Sequence, residues 1–219
     1  MRRIFATAAM LCALSGPALA HPHVFVDTGL RLIFDDQGRL AAVRVTWAYD
    51  ELFSLLVLED RELDKDYDGK LTEAEQAALK GFDMDWPDWF EGDLFLTAGG
   101  EKIAMSGPME ITATLADSRI VTTHLRALET RLEVGEQPVV FQVYDPGYYT
   151  GYEISLPVKI IGREGCAARV FMPDLDAAQK ELQDALAEYT PSEDLEEMGW
   201  PAVGASFAEE VRLTCAPSS

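Results

Sequence analysis

Basic residues are scarce in this chain: 18 Lys and Arg stand against 38 Asp and Glu, for a net charge of −20. Nucleic acids and anionic lipid surfaces need basic footprints, so this balance argues against both as partners and favours cations. Histidine and cysteine are scarcer still, with three of each. No cysteine pair has zinc-finger spacing. The serines have no nucleophile-elbow context, and three scattered histidines do not make a triad, so the chain is not expected to be an enzyme. Beyond the first twenty residues no apolar run is long enough to span a bilayer, and membrane insertion of the mature chain is not expected. There is no internal repeat, and no linker long enough to force two domains.

The N-terminus carries a targeting pattern. Arg2 and Arg3 precede the apolar run Ile4 to Leu14, and Ala18-Leu19-Ala20 is a small-x-small cleavage signature. Residues 1–20 are therefore expected to be a signal peptide that is removed to leave His21 first in a periplasmic protein, the rivals being an uncleaved anchor or a buried N-terminal helix. Ala9-Met10-Leu11 before Cys12 is a poor lipoprotein box, so no lipid anchor is expected. Cleavage leaves Cys166 and Cys215, which in an oxidising compartment should form a disulfide. Such a bridge closes a loop of about fifty residues and contributes roughly 4 kcal/mol in the chain-entropy model.

The hydrophobic patterning predicts an α+β fold that is mainly antiparallel β, sandwich-like or with paired sheets. Residues 21–219 are expected to form one mature domain with a helical insertion at 50–92. Val24 to Phe34 and Leu40 to Tyr49 alternate around the turn signal Asp35-Asp36-Gln37-Gly38 and read as a hairpin. Asp50 to Leu63 switches to helical spacing, with Leu52, Phe53, Leu56 and Val57 as its apolar stripe. Thr72 to Phe82 reads as a short capped helix. Short strands follow at 93–97, 102–105, 110–116, 119–128, 131–134, 139–144, 153–156 and 168–172, with Ala98-Gly99-Gly100-Glu101 as a second hairpin turn. Asp174 to Tyr189 is an amphipathic helix. The acidic stretch Pro191 to Pro201 reads as loop, and Phe207 to Cys215 closes the chain partly as strand. Asp83 to Asp93 is acidic and aromatic, and reads as solvated carboxylates around buried tryptophans.

Between the two helices of the insertion lies Asp64-Lys65-Asp66-Tyr67-Asp68-Gly69-Lys70-Leu71-Thr72-Glu73-Ala74-Glu75, which fits the EF-hand pattern at each diagnostic position. Ca²⁺ is a hard cation that takes six to eight oxygens. Asp64, Asp66 and Asp68 supply carboxylates at positions one, three and five. Gly69 permits the sharp turn at six. Lys70 offers its main-chain carbonyl, Thr72 coordinates directly or through water, and Glu75 can bind with both oxygens. Leu71 at position eight pins the loop to a core. The rival is a solvated acidic turn.

Two of the three histidines open the mature chain as His21-Pro22-His23. In an extended segment residues i and i+2 share a face, so His21, His23 and Asp27 are expected to point the same way. Imidazole and amine nitrogens suit Zn²⁺, Ni²⁺, Co²⁺ or Cu²⁺ better than Ca²⁺. His124, on the polar parity of its own strand, is the candidate to complete a three-nitrogen site. Pro22 lacks an amide proton, which blocks the square-planar copper motif but leaves a histidine brace at His21 open. Exposed histidines without a ligand are the alternative.

The motif order resembles a known group. It runs from His21-Pro22-His23-Val24-Phe25-Val26-Asp27, through Trp47-Ala48-Tyr49-Asp50-Glu51-Leu52-Phe53-Ser54, the Asp-rich loop and Val143-Tyr144-Asp145-Pro146-Gly147-Tyr148-Tyr149, to Gly204, Ser206-Phe207-Ala208 and Cys215. This is similar to an uncharacterised bacterial periplasmic family labelled an ABC-type transport system periplasmic component, whose genes commonly sit beside nickel/cobalt-type permeases. The resemblance implies a periplasmic location and an inner-membrane metal permease as partner. A solute receptor alternates strands and helices around parallel sheets, and this sequence does not. The expected function is therefore a metal-binding accessory protein with calcium at Asp64–Glu75 and a transition metal near His21 and His23. The competing expectations are a calcium-stabilised structural or interaction module, and a copper enzyme with an N-terminal brace.

Overall fold

The computed structural model describes residues 22–87, 89–188 and 201–216. The expected signal peptide, His21 and the acidic stretch from Pro191 to residue 200 lie outside the described residues.

Val24, Val26, Leu30, Leu32 and Phe34 alternate as the buried side of strand β1 (Val24–Phe34), and Leu40, Val43, Val45, Trp47 and Tyr49 line β2 (Leu40–Tyr49). The Asp35 carboxylate builds the turn between them, accepting from the Gln37 and Arg39 N–H groups at 3.0 and 2.9 Å. The first sheet runs β5 (Met109–Ala116), β6 (Arg119–Leu132), β2, β1, β8 (Thr150–Glu153), with β9 (Val158–Ile161) following β8 along the same edge of β1. All its pairings are antiparallel except those of β8 and β9 with β1. The second sheet is wholly antiparallel: β10 (Cys166–Phe171), β11 (Glu210–Cys215), β7 (Val139–Val143), β3 (Leu94–Ala98), β4 (Glu101–Lys102).

One hydrophobic cluster unites the sheets: Leu30, Leu32, Val43 and Val45 from the first with Leu94, Leu96, Phe141, Val211 and Leu213 from the second. Each fully buried aliphatic or aromatic side chain contributes about 1.5–3 kcal/mol relative to exposure. The mainly antiparallel α+β class is therefore as the patterning indicates. The disulfide is also present, joining Cys166 to Cys215, which face each other across β10 and β11. No helix among the described residues is long and apolar enough to cross a membrane.

Several local expectations need correction. The strands expected at 119–128 and 131–134 are replaced by one continuous strand, β6, which ends at Leu132 and leaves 133–134 outside it. The strand expected at 153–156 is displaced to 150–153, and β9 is an additional strand beyond those expected from the patterning. Both β8 and β9 are held by β1, more than a hundred residues away, rather than by local alternation. Helix α1 (Glu51–Asp60) buries Ser54 and Leu58, leaves Phe53 and Val57 half-covered, and exposes Leu52 and Leu56. Its orientation is set by Ser54, whose hydroxyl accepts from the Ile120 N–H at 2.9 Å. Leu58, Leu63 and Leu79 join the common cluster, so helices α1 and α2 (Glu73–Leu79) are rooted in the same core as the sheets. Helices α3 (Leu175–Leu186) and α4 (Gly204–Phe207) pack on one another.

Candidate metal centre

The loop between α1 and α2 is shaped by its own carboxylates. Asp64 is buried, and its two oxygens accept from the Asp68 and Gly69 N–H groups, both at 3.2 Å. Asp68 turns back to accept from the Lys70 N–H at 2.8 Å. Gly69 has φ +73°, a left-handed conformation that side chains with a Cβ rarely adopt. One carboxylate oxygen from each of Asp64, Asp66 and Asp68 lies within 4.8 Å of the others. Leu71 is half-buried against the core cluster, the anchoring role its position in the loop requires.

Glu75 reaches back from α2 to the loop main chain, and it is not among the three carboxylates that converge. One of its oxygens accepts from the Asp64 N–H at 3.1 Å, and the other from the Thr72 N–H and hydroxyl at 2.8 and 2.7 Å. The Thr72 hydroxyl bond leads the effects that hold this carboxyl below its ordinary pKa. Thr72 and Glu75 thereby form a reciprocal capping box at the N-terminus of α2. The same two side chains that would ligate a cation thus also start the helix. Lys65, Asp66, Asp68, Lys70, Thr72 and Glu75 surround a shallow cavity of about 310 Å³. Charged carboxylates so close together repel one another, and a divalent cation relieves that repulsion.

The histidine candidates separate into two places. His23 is exposed, its N–H donates to the Tyr149 carbonyl at 2.8 Å, and its ring lies 4.9 Å from that of Tyr149. Phe25 and Asp27 follow on the outward side of β1. Asp27 is paired with Arg119 at 2.6 Å and accepts from the Ser155 hydroxyl. Partial burial works against its charge, but Ser155 and Arg119 outweigh it and hold the pKa below the ordinary value. The face opens on a cavity of about 520 Å³ bordered by Asp27, Asp50, Glu51, Glu153 and Glu209.

His124 does not join them. Register places it opposite Val45, which stands opposite Leu30, and directly paired residues share a face of a sheet. Leu30 and Asp27 are an odd number of positions apart, so His124 lies on the other face from Asp27. It is fully buried between the rings of Trp47 (4.7 Å) and Trp86 (5.4 Å), and neither ring nitrogen has a hydrogen-bond partner among the described residues. Burial, with the charges of Arg126 and Arg44 behind it, lowers its pKa to about 3. The polar parity of β6 faces inward, the reverse of the usual pattern.

That inward polar face has further members that the patterning does not reveal. Asp83 is not solvated: it accepts from the Tyr49 and Thr122 hydroxyls, each at 2.8 Å, and burial raises its pKa. Asp93 accepts from the Tyr152 hydroxyl at 2.8 Å, and burial raises its pKa to about 7. Trp89, by contrast, is 80% exposed. The Asp–Tyr pairs lie tens of residues apart in the chain, so no spacing rule exposes them.

Fold and linkages together define a two-sheet, mainly antiparallel protein whose last strand is tied back by a disulfide. Its family is that of the DUF1007 proteins, described as proteins of unknown function, to which the chain belongs by a match over residues 6–215. A comparison with curated proteins finds no match.

Proposed function

We propose that this protein is a periplasmic metal-binding accessory that holds Ca²⁺ in the Asp64–Glu75 loop and offers a transition-metal ion from its outward N-terminal face to a membrane permease. The convergence of the Asp64, Asp66 and Asp68 carboxylates around the Gly69 turn carries the calcium reading. Asp64, Asp66, Asp68 and Glu75 would supply charged oxygens, and Lys70 and Thr72 a carbonyl and a hydroxyl. The ion would supply charge neutralisation that locks the loop against the core through Leu71. Exposed His23, next in sequence to the cavity-lining Pro22, and the five carboxylates that border that cavity with Arg119 support cation capture at the second place. The disulfide supports an oxidising compartment.

Calorimetric titration with Ca²⁺ tests the first half. One ion per chain is expected, and at a hundredfold excess over Kd it stabilises by about 2.7 kcal/mol. For a domain of this size that raises Tm by about 5–10 °C. Glu75→Gln should weaken the effect. No heat at millimolar Ca²⁺, with an unchanged Tm in Glu75→Gln, refutes it.

A second reading, a calcium-stabilised structural or interaction module without a transition metal, draws support from His124, which faces away from His23, and from Asp27, which is already paired with Arg119. Metal analysis of protein isolated from the periplasm separates the two. Zinc, nickel, cobalt or copper bound in proportion to protein, and lost in the double variant His21→Ala with His23→Ala, supports the accessory. Absence of all four, with no binding on titration, leaves the structural module.

A further inference from the structure

A further cleft lies apart from both the Asp64–Glu75 loop and the N-terminal face. It has a volume of about 650 Å³ and lies between β3, the chain from Lys102 to Pro108, and the segment around Trp86 to Glu91. Trp86, Phe90, Leu94, Leu96, Ile103 and Met105 form the apolar part of its lining. Its charged lining is two cations, Lys102 and Arg126, and one carboxylate, Glu91.

Arg126 is the unusual one. It is only 5% exposed, projecting from the inward face of β6. Its guanidinium stacks over the Trp86 ring at 5.0 Å. It donates to two main-chain carbonyls, those of Ser106 and Glu91. Among the described residues it belongs to no ion pair. Glu91 is the carboxylate whose charge acts on it, and that side chain is itself paired with Lys102. A guanidinium carries five N–H donors and does not lose its charge in proteins. Two carbonyls leave most of that donor set unmatched.

A buried cation without a counter-ion is costly, and in a chain with 38 acidic residues a neutralising partner was readily available. None of the seven ion pairs among the described residues supplies one here. The guanidinium edge instead borders an aromatic and aliphatic cleft of a size that suits a small organic ligand. Arginine's planar fork matches a carboxylate with two parallel hydrogen bonds, and the apolar walls match a hydrocarbon body. We propose that this cleft is a binding site for an amphipathic carboxylate, an apolar-bodied organic acid whose head pairs with Arg126 and whose body lies against Trp86, Phe90, Leu96 and Met105. Lys102, at the same cleft, is engaged by the Glu91 carboxylate, which leaves Arg126 as the cation that meets the head group.

The head group is tested on the native, calcium-loaded chain by calorimetric titration with octanoate, octanol and octylammonium, which share one chain length. Octanoate is expected to bind at one site and at least about tenfold more tightly than octanol, since charge-assisted hydrogen bonds are the stronger class. Octylammonium should bind more weakly still. Arg126→Met should bring octanoate down to the level of octanol. Where that variant fails to fold, Met105→Trp, which fills the cleft from a half-buried position, should abolish binding while the fold persists by circular dichroism. The proposal is overturned if octanoate gives no heat at millimolar concentration, or if octanol or octylammonium binds as well as octanoate. It is equally overturned if octanoate binds undiminished to folded Arg126→Met or Met105→Trp.

Discussion

Asp93 makes the stability of this protein depend on pH in a direction opposite to that of an ordinary salt-bridged carboxylate. Its side chain is buried, accepts one hydrogen bond from Tyr152, and has its pKa raised from 3.8 to about 7. Burial is the first cause, and the negative charge of Asp145 adds to it. Below pH 4 the folded and unfolded chains are both protonated at this position, and the group contributes no difference. Between about pH 4 and pH 7 the unfolded chain gives up the proton while the folded chain keeps it, so stability falls as pH rises. Above pH 7 the penalty is constant. At about 1.4 kcal/mol per pH unit the full penalty is about 4 kcal/mol. Asp93→Asn removes it while keeping an acceptor for the Tyr152 hydroxyl, and asparagine tolerates the φ of +49° found here. The sequence pI is about 4.4, so urea unfolding is best followed from about pH 5 to pH 8.5 at fixed calcium. Over that range the stability of Asp93→Asn minus that of the native chain should grow by about 3 kcal/mol, following the unspent part of the titration. Taking the difference cancels the other acidic groups, which are common to both chains. A difference that is flat with pH, or that shrinks as pH rises, refutes the assignment of a protonated interior carboxyl.

The remaining stability predictions concern the chain's closure. Replacing Cys166 and Cys215 together by alanine opens a loop whose ends are 49 residues apart and should cost about 4 kcal/mol in the chain-entropy model. Equilibrium unfolding of the double variant against the oxidised native chain measures it. Gly204→Ala places a Cβ 1.8 Å from the Asp145 carbonyl oxygen, so main chain must move. A loss above about 2 kcal/mol is expected, against about 0.5 kcal/mol for an ordinary surface change, and a melting curve identical to that of the native chain would contradict the packing described for α4.

The first hairpin was legible because its information is local. Val24 to Tyr49 alternates cleanly, Asp35 and Gly38 mark the turn, and the observed strands coincide with the expected ones. The geometry of the carboxylate loop was legible for the same reason: carboxylate spacing, the glycine turn and the capping box fall within twelve consecutive residues, and Asp64, Asp66 and Asp68 do gather. Helix α1 was legible as a helix but not in its orientation. Four apolar residues marked a stripe, yet a single hydroxyl–amide bond from Ser54 to β6 turned Leu52 and Leu56 outward. One unmet buried N–H costs as much as a leucine gains, so a polar contact can override an apolar stripe.

What the sequence by itself determined is whatever a short stretch can specify: the mainly antiparallel class, the cysteine pair, the carboxylate loop and the capped helix. Only the tertiary structure decided which face of β6 points inward, and with it the burial of His124, the Tyr49–Asp83 and Tyr152–Asp93 pairs, and the unpaired guanidinium of Arg126. The physical reason is that a strand's two faces are alike in pattern. Which one meets the core depends on the strands it pairs with, and β1, β2 and β6 come together from across more than ninety residues of chain.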